Sequence, residues 1–404
     1  MRIVVLGGAG IIGRAIAADL AQDVEQVVVA DLDLQAAEAS AKAAGGSSSA
    51  TAVDVRDPAA LAKALKGADA CVNSVNYYFN LEVMRACLEA GVPYLDLGGL
   101  FHMTRKQLDL NEDFNDHGLT AVLGIGSCPG VANVQAGWLA GMLDEVHSVR
   151  IYNGATPDRG DSLAAPYAIQ TILDEISLPA MIFRDGEFQE RPPLSEEEYF
   201  TFPEPIGRVK THLSLHSEVA TIPISLADKG LQECTFKISF FGFSEAALRK
   251  LQFLAEIGLA STEAVEVDGA SVRPRNLLVK LLSGLPQDEA NSSAEGFKAV
   301  VTEINGKIGS REVRLKAETL GGPSDAPSAG AGKRLIAGPA AIVGRWLAGG
   351  RLSTPGVWPP ERIIEPAPFF QELALRGFTT RLIKTETVAS AGPPVSAGVG
   401  GAGL

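Results

Sequence analysis

Two groups of residues in this 404-residue sequence have types and spacing suited to chemistry. The first is Gly8-Ala9-Gly10-Ile11-Ile12-Gly13, with Asp31 eighteen residues past Gly13. A G-x-G-x-x-G alone is a weak signal, but this one follows the β-rich run at 2–7 and opens a stretch of helical period. That context is expected to cradle a pyrophosphate. Gly8 would allow the tight turn, Gly10 the approach of the phosphates, and Gly13 close helix–strand packing. The helix start at Ile11 and Ile12 would supply free N–H groups and a positive dipole end. The second group is the run Lys210-Thr211-His212-Leu213-Ser214-Leu215-His216-Ser217-Glu218. On a strand, His212, His216 and Glu218 would share one face, where a His–Glu pair could relay a proton. The other reading is an exposed polar strand face.

Asp31 stands where a carboxylate accepts both ribose hydroxyls and repels a 2′-phosphate. No arginine lies among Leu32, Asp33 and Leu34, so NAD is the expected cofactor rather than NADP. Asp31 could instead cap the next helix. Asp54 could reach the adenine amine or be an exposed strand-end acid. Asn73 and Ser74, with Asn76 and Tyr77, close the fourth expected strand and could line the nicotinamide ribose or simply form a turn.

The elements that would hold these residues alternate. Strands are expected at 2–7, 26–30, 51–55, 70–75, 93–97 and 120–123. Helices are expected at 11–21, 34–44, after the Asp57-Pro58 cap, at 80–90 and at 104–117. The fold class is α/β, with a doubly wound parallel Rossmann sheet over residues 1–130. After a turn at 126–130 and a helix at 131–143 the rhythm changes. An alternating strand at 234–243, and strands at 300–304 and 312–316 joined through Asn305-Gly306, point to an α+β domain over 131–334. A linker at 321–333 precedes a helix at 335–347. Residues 335–385 are expected to return to the first domain, and 386–404 to form a flexible tail.

Composition narrows the function classes. With 35 basic and 48 acidic residues the net charge is −13, which disfavours nucleic acid and anionic membrane surfaces. No apolar stretch approaches the ~20 residues of a bilayer span, and no signal peptide is visible. Cys71, Cys87, Cys128 and Cys234 have neither metal-ligand nor disulfide-framework spacing, so reduced thiols and a cytoplasmic location are expected, with no metal.

Longer motifs add to this. Val72-Asn73-Ser74, Tyr94-Leu95-Asp96-Leu97-Gly98-Gly99, Pro129-Gly130 with Asn133, Ser217-Glu218 before Thr221-Ile222-Pro223, and Gly356-Val357-Trp358-Pro359-Pro360-Glu361 stand in order along the chain. Together they resemble the saccharopine dehydrogenase-like family, and within it most closely the NAD-dependent L-lysine 6-dehydrogenases, up to about residue 385. Cys128 departs from the aspartate that saccharopine reductases tend to carry before Pro-Gly. The resemblance implies a middle domain that covers the nicotinamide and forms a homodimer. It also implies oxidation of the ω-amino carbon of L-lysine or a related basic amino acid, giving a semialdehyde that cyclises. A saccharopine-type reductase acting on a secondary amine, or a non-catalytic dinucleotide sensor, are the alternatives.

Amine oxidation by hydride transfer needs a base and an anchored substrate. Asp96, before Gly98-Gly99, could hold or deprotonate the ammonium, or be a turn aspartate. Glu218 is a second candidate, with His212 and His216 in support. Arg159, Arg208 and Lys210 could hold a substrate carboxylate or be surface charges. Tyr77 and Tyr167 could wall the pocket or pack. Cys128 has the type of a nucleophile but no placed base.

Overall fold

The computed structural model describes residues 1–156, 163, 167–240, 243–285, 296–323 and 330–386. Its first half is a strand–helix alternation. The strands are β1 (Arg2–Leu6), β2 (Gln26–Asp31), β3 (Ser49–Ala52), β4 (Ala70–Asn73), β5 (Tyr94–Asp96) and β6 (Thr120–Val122). Between them lie α1 (Gly13–Leu20), α2 (Leu34–Ala44), α3 (Pro58–Leu65), α4 (Asn80–Ala90), α5 (Leu100–Leu108) and α6 (Asn111–Asp116). Local signals set several of the ends. Asp33 accepts from the Ala36 N–H and caps α2, so Asp31 does not. Asp57 accepts from the N–H groups of Ala59 and Ala60, with Pro58 in the first helical position. Gly91, left-handed at φ 69°, closes α4.

The single helix expected at 104–117 is two helices. Leu108 and Leu110 both pack on the core beneath the sheet, and residues two apart do not share a helix face. The strand expected at 51–55 ends at Ala52, after which Val53, Asp54 and Val55 turn to line a cavity.

The second half is built on a larger sheet. Its strands are β7 (Glu145–Ala155), β8 (Ala180–Arg184), β9 (Glu187–Arg191), β10 (Glu198–Thr201), β11 (Arg208–Leu213) and β12 (Glu233–Ile238). A separate small pair, β13 (Val265–Val267) and β14 (Ala270–Val272), precedes the long hairpin of β15 (Lys298–Ile308) and β16 (Arg311–Gly321). The helices are α7 (Val131–Ala140), α8 (Ile169–Ser177), α9 (Glu218–Ser225), α10 (Glu245–Leu254) and α11 (Pro274–Ser283). Asn305-Gly306 is not the turn of the hairpin, which falls after Ile308 at Gly309, φ 58°. Gly306 lies inside β15 at a shift of register against β7, where a Cβ would stand 2.0 Å from the Glu145 carbonyl oxygen.

The chain then goes back. Helix α12 (Ala331–Ala348) packs on α1, β4 and β5, and β17 (Gly356–Trp358) pairs parallel with β6. The first sheet thereby gains a seventh strand and the order β17-β6-β5-β4-β1-β2-β3. After α13 (Pro360–Ile363) and α14 (Pro366–Leu375), β18 (Phe378–Glu386) pairs antiparallel with β16. The expected return over 335–385 is therefore divided, its last strand joining the second sheet.

One core joins the two halves. Ile3 and Val5 face α1 and α12, while Val4 and Leu6 face α3 and α4, as alternation along a strand requires. The first of these layers continues through Val131, Val134 and Leu139 of α7 to Val149, Ile151, Val300 and Ile304 of the second sheet. Each such side chain contributes about 1.5–3 kcal/mol on full burial.

Candidate active site

The glycine turn is crowded in a way that only glycine permits. The left-handed residue is Gly7, φ 69°, whose carbonyl accepts from the Gly10 N–H at 3.0 Å. Gly8, the expected turn residue, has an ordinary φ. It is required because a Cβ there would meet Val29 Cγ1 at 2.8 Å and the Val5 carbonyl at 2.9 Å. At Gly13 a Cβ would stand 2.2 Å from the Gly7 carbonyl oxygen and 2.7 Å from Ser74 Oγ. The turn leads into α1, whose N-terminus has no side-chain cap and so keeps its N–H groups for an anion. These residues fit a dinucleotide pyrophosphate.

A cavity of about 350 Å³ runs from this turn into the second half of the chain. Gly10, Ile11, Ile12, Gly13, Ser74 and Tyr77 form one wall, and Ser127, Cys128, Pro129, Tyr167, Glu175 and His216 the other. Ser74 is fixed by donating to the Leu6 carbonyl at 2.6 Å. Asn73 lies behind the wall, bonded to Asn80 Oδ1 at 3.0 Å and to the Tyr94 hydroxyl at 3.1 Å. Asp31 and Asp54 line a second cavity on the far side of the turn. Asp31 accepts from the Ala9 N–H at 3.0 Å, and Asp54 is paired with Arg56.

A chain of titratable groups closes the inner end of the first cavity. Glu218 Oε2 is hydrogen-bonded to His216 Nδ1, and His216 Nε2 stands 3.9 Å from Glu175 Oε1. The Tyr167 hydroxyl donates to Glu175 Oε2 at 2.5 Å, and the His216 ring stacks on Phe236 at 3.8 Å. Burial pushes Glu175 up to about 7, against the opposing pull of His216 and Tyr167. Burial alone would lower His216, but the Glu218 and Glu175 carboxylates outweigh it and raise the imidazole. Lys298, interacting with Cys128 and Glu175, is lowered by burial to about 7. The Cys128 thiol is pushed well up, first by burial and then by the Glu218 charge, which opposes the thiolate a nucleophile needs.

Not every expected residue meets here. His212, His216 and Glu218 do not share a strand face, because β11 stops at Leu213 and Glu218 begins α9. His212 faces the Leu194 carbonyl at 3.4 Å and Glu197 at 3.5 Å, away from the cavity wall. Asp96 is buried behind the wall and accepts five hydrogen bonds. They come from the N–H groups of Gly98 (2.8 Å) and Gly124 (2.7 Å), from Gln107 (2.5 Å), from the Tyr94 hydroxyl (2.9 Å) and from Asn80 (3.2 Å). No acceptor direction is left for a substrate ammonium, and the carboxylate instead shapes the two loops beside it. Lys210 pairs with Glu245 at 2.9 Å, and Arg208 lies over the Tyr199 ring at 4.7 Å; neither lines the cavity. Arg159 lies outside the described residues.

Glu175, Asp174 and Lys298 escaped the sequence reading. An Asp-Glu pair on an amphipathic helix reads as a solvated face, and only partners far along the chain make it buried. The Gly126–Gly130 loop is set by Asn133, which accepts from the Gly130 N–H at 3.0 Å and donates to Glu361 at 2.8 Å. The Pro-Gly, Asn133 and Pro-Pro-Glu motifs therefore form one support. Among the described residues no group of three His, Cys, Asp or Glu is placed to hold a metal, and no helix is long and apolar enough to cross a membrane.

Comparison with known proteins agrees with this architecture. The family model described as the saccharopine dehydrogenase NADP binding domain matches residues 3–122, and that of the saccharopine dehydrogenase C-terminal domain matches residues 126–378. Carboxyaminopropylagmatine dehydrogenase of Synechocystis sp. is 30% identical over 223 residues, 54% of each chain. Carboxynorspermidine synthase of Vibrio cholerae is 26% identical over 254 residues, 59% of this chain and 58% of that relative. The chain thus spans somewhat more than half the length of the curated relatives it matches. Among solved structures, the L-Glu-forming saccharopine dehydrogenase of Saccharomyces cerevisiae has a TM-score of 0.69 at 16% identity, covering 95% of this chain and 99% of its own. The homospermidine synthase of Legionella pneumophila, in complex with NAD, has a TM-score of 0.65 at 13% identity, covering 96% and 91%. At these identities the likeness is one of fold.

Proposed function

The chain belongs to the saccharopine dehydrogenase-like family, and from that premise we propose that it moves a hydride between a nicotinamide dinucleotide and the carbon of a carbon–nitrogen bond in a basic amine. The observation that carries the reading is Glu175 with His216 behind it, in the wall of the cavity that begins at the glycine turn. The bound nicotinamide supplies the hydride acceptor. The chain supplies a base, because an ammonium with a pKa near 10 holds its proton and blocks hydride loss at neutral pH. Glu175 takes that proton, and the His216 imidazole, held by Glu218 at its other nitrogen, stands 3.9 Å away and favours the ionised carboxylate that does so. The Glu175 carboxylate in the wall offers a cationic substrate its counter-charge. In balance, the ammonium loses a proton to Glu175 and the neighbouring carbon loses a hydride, leaving an iminium that water converts to aldehyde and ammonium.

For the substrate we propose the ω-amino group of L-lysine or a close analogue, whose semialdehyde product closes on its own α-amine with loss of water. A second reading, reversible formation of a secondary amine on a polyamine precursor, is favoured by the names of the two curated relatives. For the cofactor, Asp31 at the ribose position favours NAD. A homodimer belongs to the same proposal, and sedimentation at micromolar concentration tests it.

The deciding experiment is NADH formation over L-lysine, L-ornithine, diamines and carboxyalkyl polyamines, together with NADH consumption over aldehyde and amine pairs. Turnover of a primary diamino acid without a second amine selects the first reading. Turnover of secondary amines alone selects the second. Dinucleotide binding with no turnover in either direction overturns both and leaves a sensor.

A further inference from the structure

The second cavity, about 320 Å³, opens on the other side of the glycine turn at the carboxyl ends of β2 and β3. Its wall includes Gly7, Asp31, Asp54, Val55, Arg56 and Phe79. In a sheet wound this way the adenosine end of a dinucleotide lies there. Asp31 is anchored by the Ala9 N–H at 3.0 Å, so its charge is fixed at the rim.

Arg56 is the one cation among the described residues that line this cavity. It is not directed into open space. Its Nε donates to Asp54 Oδ1 at 2.9 Å and Oδ2 at 3.1 Å, its Nη2 to Oδ2 at 2.6 Å, and its backbone N–H to Oδ1 at 2.9 Å. Two residues apart, the pair closes a tight ring that needs little further ordering. The guanidinium holds the Asp54 carboxyl down to about 2, so the pair stays ionised throughout the useful pH range. No arginine follows Asp31 in the sequence; this one arrives from the turn after β3.

We propose that Arg56 is a latent ligand for a ribose 2′-phosphate, withheld by Asp54, so that Asp31 and Asp54 together set the choice between the two nicotinamide dinucleotides. As built, the two carboxylates of Asp31 and Asp54 outnumber the one guanidinium of Arg56 at the rim, and the planar fork that would grip a phosphate is already engaged by a carboxylate. Without Asp54 the remaining carboxylate and guanidinium balance and the fork is released. The donor–acceptor geometry that now satisfies a carboxylate then suits a phosphate, which offers the same spacing of oxygens. The inference rests on the dinucleotide reading of the first domain.

The test is direct binding, followed by energy transfer from tryptophan to the reduced nicotinamide, with NADH and NADPH titrated into the full chain. Asp54→Ala is expected to lower the ratio of the NADPH to the NADH dissociation constant by about tenfold at low salt, the gain one charge-assisted phosphate contact gives at an exposed site. Adding Arg56→Ala should abolish that gain. Arg56→Ala alone should leave the ratio where it is in the unmodified protein. An unchanged ratio in Asp54→Ala overturns the proposal, and so does a gain that survives loss of Arg56, which would assign the effect to bulk charge. A worsened ratio in Arg56→Ala alone overturns it too, since the arginine would then already be engaged. Binding of neither dinucleotide to the unmodified protein sinks the underlying reading and this proposal together, an outcome separable from the others.

Discussion

The Tyr77 hydroxyl, on the glycine-turn side of the cavity, donates to the Asp174 carboxylate on α8 at 2.7 Å, across 97 residues of chain. The Tyr78 hydroxyl donates to the same carboxylate, and the buried Arg275 from α11 is ion-paired with it. A carboxylate and a guanidinium that are nearly inaccessible to water therefore hold the glycine-turn side of the cavity against α8 and α11. Asp174→Ala would leave Arg275 buried without its counter-charge. The expected loss is about 3–5 kcal/mol in chemical denaturation. Tyr77→Phe removes one hydrogen bond to a charged group and should cost about 1.5–3 kcal/mol. Equal stability of Asp174→Ala and the unmodified protein would contradict the clamp.

On the proposed reading, Glu175 should set the pH dependence of turnover. Acting as a base it must be ionised, so turnover should rise with pH through about 7. Glu175→Gln should lower kcat by about 100-fold or more and flatten that rise, with dinucleotide affinity retained. The sign for stability is opposite. The folded value lies above the 4.5 of a free glutamate, so burial favours the neutral form. The resulting stability is full below about 4.5 and is lost as the pH passes about 7. A pH–rate profile unchanged in Glu175→Gln would remove the residue from the reaction.

Gly13→Ala places a Cβ against the Gly7 carbonyl oxygen and Ser74 Oγ, both well inside contact distance. Backbone cannot give way there as a side chain would, so the turn must open. Dinucleotide affinity should fall by at least about tenfold, since the N–H groups of the turn lose their common focus. Fluorescence titration measures it, and native affinity would show that the turn is more tolerant than its packing implies.

Asp96→Asn sets an amide NH₂ among groups that are themselves donors. One or two of the five hydrogen bonds must be lost, at about 1–3 kcal/mol for a donor left unsatisfied. The loops at Gly98 and Gly124 should loosen together, visible as faster amide exchange at both. Normal exchange there with a fall in turnover would return Asp96 to substrate chemistry.

The sequence and the structure agree where the signal is local. The helices at 34–44 and 80–90 have the expected bounds because Asp33 and Gly91 fix their ends within the segment itself. Non-local contacts explain the differences. Asn305-Gly306 has the composition of a tight turn, yet Gly306 is glycine because a neighbouring strand's carbonyl occupies the space of a Cβ. Even spacing placed His212 with His216, but the strand ends between them and the parity is lost. Glu175 could not be told from a solvated acid, since Tyr167 and His216 approach it through tertiary folding alone. Arg56 was invisible for a related reason: its relevance depends on β2 and β3 lying side by side.

The late arrival of β17 beside β6 imposes an order on biosynthesis. As the polypeptide leaves the ribosome, the six strands of residues 2–122 can pair, but the outer edge of β6 and the faces of β1, β4 and β5 that α12 covers stay bare. Some two hundred residues of the second sheet must emerge before 331–358 can cover them. Through that interval the nascent nucleotide domain presents an unpaired strand and an apolar layer to the cell, the combination that recruits holdase chaperones and invites aggregation when they are scarce.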